Sequence, residues 1–325
     1  MSEQTAKPMP SQTALFSALR RALANRHYGG PPFGPDDLAI HFLEAQHRFL
    51  FRFHKIREYG ERKLDQAMPG MTPYIIARTA YFDRVFLDAL RAGAPQIVIL
   101  GAGYDSRAYR FAASKGSTTV YELDAAETQA RKRECLRSAH VAIPQSVKLV
   151  PIDFLHESLA DALGKAGFRP DARTLFLWEG VSYYLDAASV DRTLAFVRGT
   201  GAGDAAIAFD YTIPLTDEDM GNCYGSATFL DAMRAYHASE ALMFAIPDDE
   251  IESFLAARGL QLVEHHNAAA IEECFLRDGQ GALLGRVTGN FRFVLARAAG
   301  QMPRGDAELR RPCGMEWAGP PLVTG

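Results

Sequence analysis

The hydrophobic pattern of the chain changes character near residue 95. Before that point apolar residues recur at helical spacing; after it they come in short runs rich in β-branched side chains. The first part predicts a helix over 12–28, stopped by Gly29, Gly30, Pro31 and Pro32. A second helical stretch is predicted over 36–66, with Asp36 and Asp37 as capping candidates and Met68-Pro69-Gly70-Met71 as the breaker. Thr72-Pro73 then opens a third helix, with Thr72 as N-cap and Pro73 at the first helical position. These segments form an N-terminal helical layer, 12–92.

The second part predicts seven strands, at 96–100, 118–124, 147–153, 174–180, 205–212, 260–266 and 291–297. Helical segments at 125–139, 157–166, 187–199 and 248–258 alternate with them, which is the signature of a doubly wound, mostly parallel sheet. The last gap holds only a short helical stretch and a glycine-rich turn, so the final pair is expected to be antiparallel. The fold class is therefore α/β, a Rossmann-like seven-stranded sheet. Residues 213–247 are long for a connection and read as a lid insertion into a core spanning 93–299. Residues 1–11 read as disordered, without the apolar run of a signal peptide. Residues 300–325 read as a loose tail, and 1–325 as a single domain.

Composition narrows the function. The 325 residues are 48% hydrophobic and 23% charged, with a formal net charge of −4. That is ordinary globular composition and lacks the basic footprint of a nucleic-acid binder. The densest basic cluster, Arg131, Lys132, Arg133 and Arg137, alternates with Glu127 and Glu134 and reads as a solvated helix face. Cys135, Cys223, Cys274 and Cys313 show no metal or disulfide spacing, which predicts free thiols in a reducing, cytoplasmic setting. No run reaches the ~20 apolar residues of a membrane helix. Neither nucleic acid nor membrane is expected as a partner.

The chemistry is expected at the carboxyl ends of the strands. The first strand runs into Gly101-Ala102-Gly103-Tyr104-Asp105-Ser106-Arg107. Gly101 and Gly103 let a ligand approach the backbone; a plain tight turn is the alternative. Where a dinucleotide fingerprint needs a third glycine the chain departs from the pattern, which favours a nucleoside without phosphates. The second strand ends in Glu122-Leu123-Asp124, about 20 residues on, where a carboxylate can accept from both ribose hydroxyls. Asp124 is the first candidate and Glu122 the second. Asp153 and Phe154 are candidates for the adenine amino group and ring, with a helix N-cap as the plainer role for Asp153. Glu179 follows an apolar strand, where an unpartnered carboxylate is costly. Tyr183 and Tyr184 are placed to line an acceptor pocket, or simply to pack.

Taken in order, ARTAYFD (77–83), LGAGYDSRAYRF (100–111), YELD (121–124), PIDF (151–154) and LFLWEGVSYYL (175–185) resemble the leucine carboxyl methyltransferase-like family of class I methyltransferases. The resemblance implies S-adenosyl-L-methionine as cofactor. It implies that Arg78 grips the methionine carboxylate, that Gly101 and Gly103 form the cofactor turn, and that Asp124 is the ribose acid. Asp153 and Phe154 become the adenine contacts, Glu179 the acid near the amino-acid end, and Tyr184 the acceptor-side tyrosine. The lysine-bearing N-terminal motif of the phosphatase-specific members has no match, so the chain is more similar to the polyketide and small-acid carboxyl methyltransferases of secondary metabolism.

An acceptor carboxylate is ionised at neutral pH and needs no base, whereas a phenol or alcohol does. His54, His156, His237, His265 and His266 fall in no catalytic spacing, which favours a carboxylic acid. Arg107, Arg110 or Arg57 are candidates to orient it. A phenol or hydroxyl acceptor, or a protein C-terminal carboxylate, stays open. A nicotinamide-dependent oxidoreductase and a non-catalytic binding module are the rivals.

Overall fold

This computed structural model describes residues 12–27, 36–154, 156–216, 223–236, 241–278 and 280–299. The predicted disordered start (1–11) and loose tail (300–325) lie outside the described residues. Seven strands form one sheet: β1 (Gln96–Leu100), β2 (Thr119–Asp124), β3 (Val147–Pro151), β4 (Thr174–Trp178), β5 (Ala205–Thr212), β6 (Leu260–His266) and β7 (Phe291–Ala298). Their order is β3-β2-β1-β4-β5-β7-β6. The strands from β3 through β5 are parallel, and β7 runs antiparallel to both of its neighbours, as expected for the final pair.

Alternation along the strands sends side chains to two faces, and both are covered. Ile97, Ile99, Leu175 and Leu177 enter a core shared with α1 (Gln12–His27) and α4 (Met71–Arg91). Val98, Leu100, Phe176 and Trp178 enter the opposite core, packed by α7 (Leu159–Lys165), α8 (Ala187–Arg198) and α10 (Ile251–Ala256). Near-continuous apolar strands are what a sheet buried on both sides requires. The remaining helices are α2 (Ala45–Leu50), α3 (His54–Ala67), α5 (Arg107–Arg110), α6 (Ala126–Ser138), α9 (Ser226–Tyr236) and α11 (Ala268–Phe275).

Several expectations are corrected. The stretch 36–66 is not one helix; a 3₁₀ turn over Ala39–Phe42, α2 and α3 replace it, separated by extended backbone at Leu43-Glu44 and at Phe53. Phe42, Leu43 and Phe51 turn into the core, and their burial overrides local helix propensity. Thr72 is not the N-cap of α4. Gly70 holds that position at φ +80°, while the Thr72 hydroxyl donates to Asp65 Oδ1 at 2.7 Å. The 213–247 insertion carries α9. Lys132 does not belong to a solvated face. It is buried and bonds Glu122 Oε2 at 2.6 Å. Cys135 and Cys223 form no disulfide, but Cys274 is disulfide-bonded, because spacing along the chain does not bound distance in space. No helix among the described residues is long and apolar enough to cross a membrane.

Gly70 ties the fold to the site, because α4 carries Arg78. A Cβ there would sit 2.4 Å from Thr288 N, at a backbone angle few L residues adopt. Gly70→Ala is expected to cost about 2 kcal/mol or more in urea unfolding, from backbone strain and collision together.

Candidate active site

The order of the sheet reverses between β1 and its neighbours β2 and β4, and a crevice opens there above the strand ends. Gly101 (φ +64°) and Gly103 (φ +44°) turn the chain at the end of β1. A Cβ on Gly101 would meet Val181 Cγ2 at 2.6 Å. The turn is fixed from below by the Ala102 N–H, which donates to Leu123 O at 2.8 Å. At the end of β2, Asp124 accepts from the Gly103 N–H at 2.6 Å and from the Ala125 N–H at 2.8 Å. An ionised carboxylate has about four acceptor positions, so Asp124 keeps capacity for a ligand. Burial raises its pKa, against the pull of these two N–H groups.

This turn is one wall of a cavity of about 250 Å³. Of the predicted site residues, Arg78, Gly101, Gly103, Asp124, Phe154, Glu179, Tyr183 and Tyr184 all line it. β3 stops at Pro151 and β4 at Trp178, so Phe154 and Glu179 sit on loops rather than strands. α1 adds Phe16, Ser17 and Arg21, and α4 adds Met71 and Tyr74. Phe229 and Met233 of α9 close the far side with Phe291 of β7.

Three candidates lie elsewhere. Glu122 shares a sheet face with Asp124 but sits two residues deeper, fully buried, where it accepts from Lys132 Nζ and from Tyr109 OH at 3.1 Å. Asp153 is exposed and faces His156 Nδ1 at 2.8 Å, because the chain has already turned toward α7. Arg107 is buried and fully engaged. Its Nε donates to Asp83 at 2.7 Å, and its Nη1 bonds both Asp105 and Glu179, the latter at 2.7 Å. It cannot reach an acceptor; it holds Glu179. Arg110 pairs with Asp83 at 2.7 Å, and Arg57 donates to Phe51 O at 3.3 Å, so neither faces the cavity either.

Sequence reasoning missed Asp210, Tyr74 and the α1 wall. Asp210 is fully buried in β5. It accepts from Tyr74 OH at 2.5 Å, Arg78 Nη1 at 3.2 Å and the Gly180 N–H at 2.6 Å. The signal was present: a lone acid inside the apolar strand AAIAFDYT demands a buried partner. Arg78 thus spans two acids, with its Nε 3.0 Å from Glu179 Oε1. Burial pulls the Arg78 pKa down, but Glu179 and the other acidic neighbours outweigh it and raise it well above the ordinary value. Burial pushes Glu179 up, but Arg107 and Arg78 hold it below the usual range. Burial and Asp210 raise Tyr74 and Tyr183 well above the ordinary tyrosine range.

The profile of the family described as leucine carboxyl methyltransferase matches residues 14–198. The chain belongs to the leucine carboxyl methyltransferase family. YktD of Bacillus subtilis, named as an S-adenosyl-L-methionine-dependent methyltransferase, is 30% identical over 282 residues, covering 82% of this chain and 91% of YktD. A Mycobacterium ulcerans protein of the same description is 35% identical over 204 residues, 61% of this chain and 64% of its own length. Among solved structures, a methyltransferase from Thermobifida fusca matches with a TM-score of 0.54 at 14% identity, over 90% of this chain and 96% of that one. The last likeness is one of fold. Within the family match lie α1, α4, the glycine turn, Asp124 and Glu179; Asp210, α9 and Phe291 lie beyond it.

The depressed Glu179 pKa has a pH consequence with a definite sign. Its stabilising contribution is complete above the ordinary glutamate value of 4.5 and is lost as pH falls through the lower folded-state value. Glu179→Gln is expected to flatten the acid limb of the melting-temperature profile below about pH 4.5. Differential scanning fluorimetry across that range measures it.

Proposed function

We infer that this S-adenosyl-L-methionine-dependent methyltransferase passes the methyl group to a carboxylate oxygen of a small organic acid, of the polyketide class or similar. The lining suits the cofactor. Asp105, Asp124 and Glu179 outnumber Arg21 and Arg78, a surplus of negative charge suited to a ligand whose sulfonium and ammonium outweigh its one carboxylate. Arg78, kept cationic between Glu179 and Asp210, would hold the carboxylate of the methionine end. Asp124 would accept from the ribose and Phe154 would cover the adenine. When bound, the cofactor supplies a methyl group already activated on sulfur.

The observation that carries the acceptor assignment is the missing base. No histidine or lysine is found among the described lining residues. Tyr74 and Tyr183 are held in the neutral form, arginines pin Asp105 and Glu179 as weakly basic carboxylates, and Asp124, though raised by burial, is occupied by the Gly103 and Ala125 N–H groups and, on this reading, by the ribose. A carboxylate acceptor needs none of them, since it is ionised at neutral pH. The task left to the protein is alignment of the reacting atoms and exclusion of water. Met68, Met71, Phe229, Met233 and Phe291 give the remaining wall an apolar surface that suits the body of an organic acid. α9 lies in the insertion after β5, and on this reading it is the part that closes over the acceptor.

Two measurements test this. Asp124→Ala should weaken S-adenosylhomocysteine binding by calorimetry at least 100-fold while the circular dichroism spectrum stays unchanged; unchanged affinity overturns the site. In a turnover screen with methyl-labelled cofactor, an accepted carboxylic acid should give a kcat/KM flat between pH 6 and 8. Turnover confined to phenols, rising with pH, overturns the acceptor assignment.

A further inference from the structure

The five apolar side chains that lie along α2 and α3 take no part in the site. Phe49, Leu50, Phe53, Ile56 and Tyr59 are between 40 and 57% exposed. They account for most of the exposed large hydrophobic residues among the described ones, gathered within residues 49–59. Scattered single exposures of this kind are ordinary; a contiguous set marks a surface that contacts something. Phe53, Ile56 and Tyr59 fall at intervals of three and form a stripe on the outer side of α3. The adjoining side of the helix carries Arg57, Gly60, Glu61 and Leu64, all partly buried. Phe49 and Phe53 extend the stripe back to α2, with ring centroids 5.4 Å apart.

The stripe is set among cations. Arg48, Arg52, Lys55, Arg62 and Lys63 flank it, and none has a carboxylate partner among the described residues. The acids of the same stretch are engaged: Glu58 lies 3.4 Å from His54, Glu61 faces Arg57 at 3.8 Å, and Asp65 accepts from Thr72. This local positive surplus sits on a chain whose formal charge is −4. A helix face that interleaves Phe, Ile and Tyr with unpaired Lys and Arg has the composition of a segment lying in the headgroup layer of a membrane. A second copy of the chain is a poor occupant. A two-fold interface would bring the same unpaired cations against one another.

We propose that the α2–α3 face docks on an anionic lipid surface, with the Phe49–Tyr59 side chains in the acyl boundary and the flanking cations on the lipid phosphates. No spanning helix is involved, so the proposal departs from the expectation of no membrane partner without contradicting the absence of a span. α3 leads directly into Met68, which lines the cavity, so docking sets the cavity beside the lipid. The proposal does not depend on the identity of the methyl acceptor.

The test is vesicle flotation of the full chain with phosphatidylcholine alone and with phosphatidylcholine containing one third phosphatidylglycerol. The wild type should float with the anionic vesicles, lose binding as salt rises, and stay behind with the neutral ones. Phe53→Ser/Ile56→Ser/Tyr59→Ser should reduce partitioning at least tenfold. Arg52→Glu/Lys55→Glu/Arg62→Glu should abolish the preference for anionic lipid. All six positions are exposed and outside the cavity, and an unchanged melting temperature verifies folding. Wild-type protein that remains soluble with both vesicle types overturns the proposal. So does binding that both variants retain, or light scattering that shows a dimer which the apolar triple variant dissociates.

Discussion

The structure depends on a buried run of alternating charge that reaches from the cavity into the N-terminal layer. Asp210 and Glu179 hold Arg78; Glu179 and Asp83 hold Arg107; Asp83 and Asp36 receive Arg110; Asp36 receives Arg21. Every side chain in the run is at most 9% exposed. A buried ion pair adds little net stability over apolar packing, but losing one partner strands a charge at a cost of about 3–5 kcal/mol. Such a network is therefore a constraint on which parts must be present together more than a source of stability.

The constraint explains why separate elements meet at one cavity. Arg78 comes from α4, Asp105 from the turn after β1, Arg107 from α5, Glu179 from the loop after β4, Asp210 from β5, and Arg21 from α1. Each of these side chains needs partners on other elements to be buried at all. Arg21 also donates to Tyr104 O at 2.6 Å, which fastens α1 to the turn that Gly101 and Gly103 create. The N-terminal helices are thus part of the site and not a decorative layer. The same bonding fixes roles: Arg107 is spent on positioning Glu179, whereas Arg78 keeps a face toward the cavity.

Much of this was legible. Short apolar runs after Pro95 placed the inner strands, because a strand buried on two faces is mostly apolar, while the partly exposed edge strands β3 and β6 followed from their alternation with helices. The glycine turn and the acid at the end of β2 were legible as narrow residue types at a fixed spacing, and the structure brings all three to one cavity wall. The helical stretch 36–66 was misread, since helical spacing alone does not reveal that Phe42, Leu43 and Phe51 are drawn into the core and break the run. Lys132 was misread for a related reason. Alternation with Glu127 and Glu134 describes a helix face, not what lies beneath it, and beneath it lies the carboxylate of Glu122.

The chain by itself thus determined the sheet, its crevice and the residue types at the crevice, because periodicity and backbone geometry are local. Only the tertiary structure decided which charged groups face the cavity. Glu122 and Asp124 are two residues apart on one strand face, yet one is sealed by Lys132 and the other is open, because depth below the strand end is set by what packs above it. Asp210 shows the converse. An acid in an apolar strand announced that a partner exists, but only the packing of α4 over β5 could name Arg78 and Tyr74.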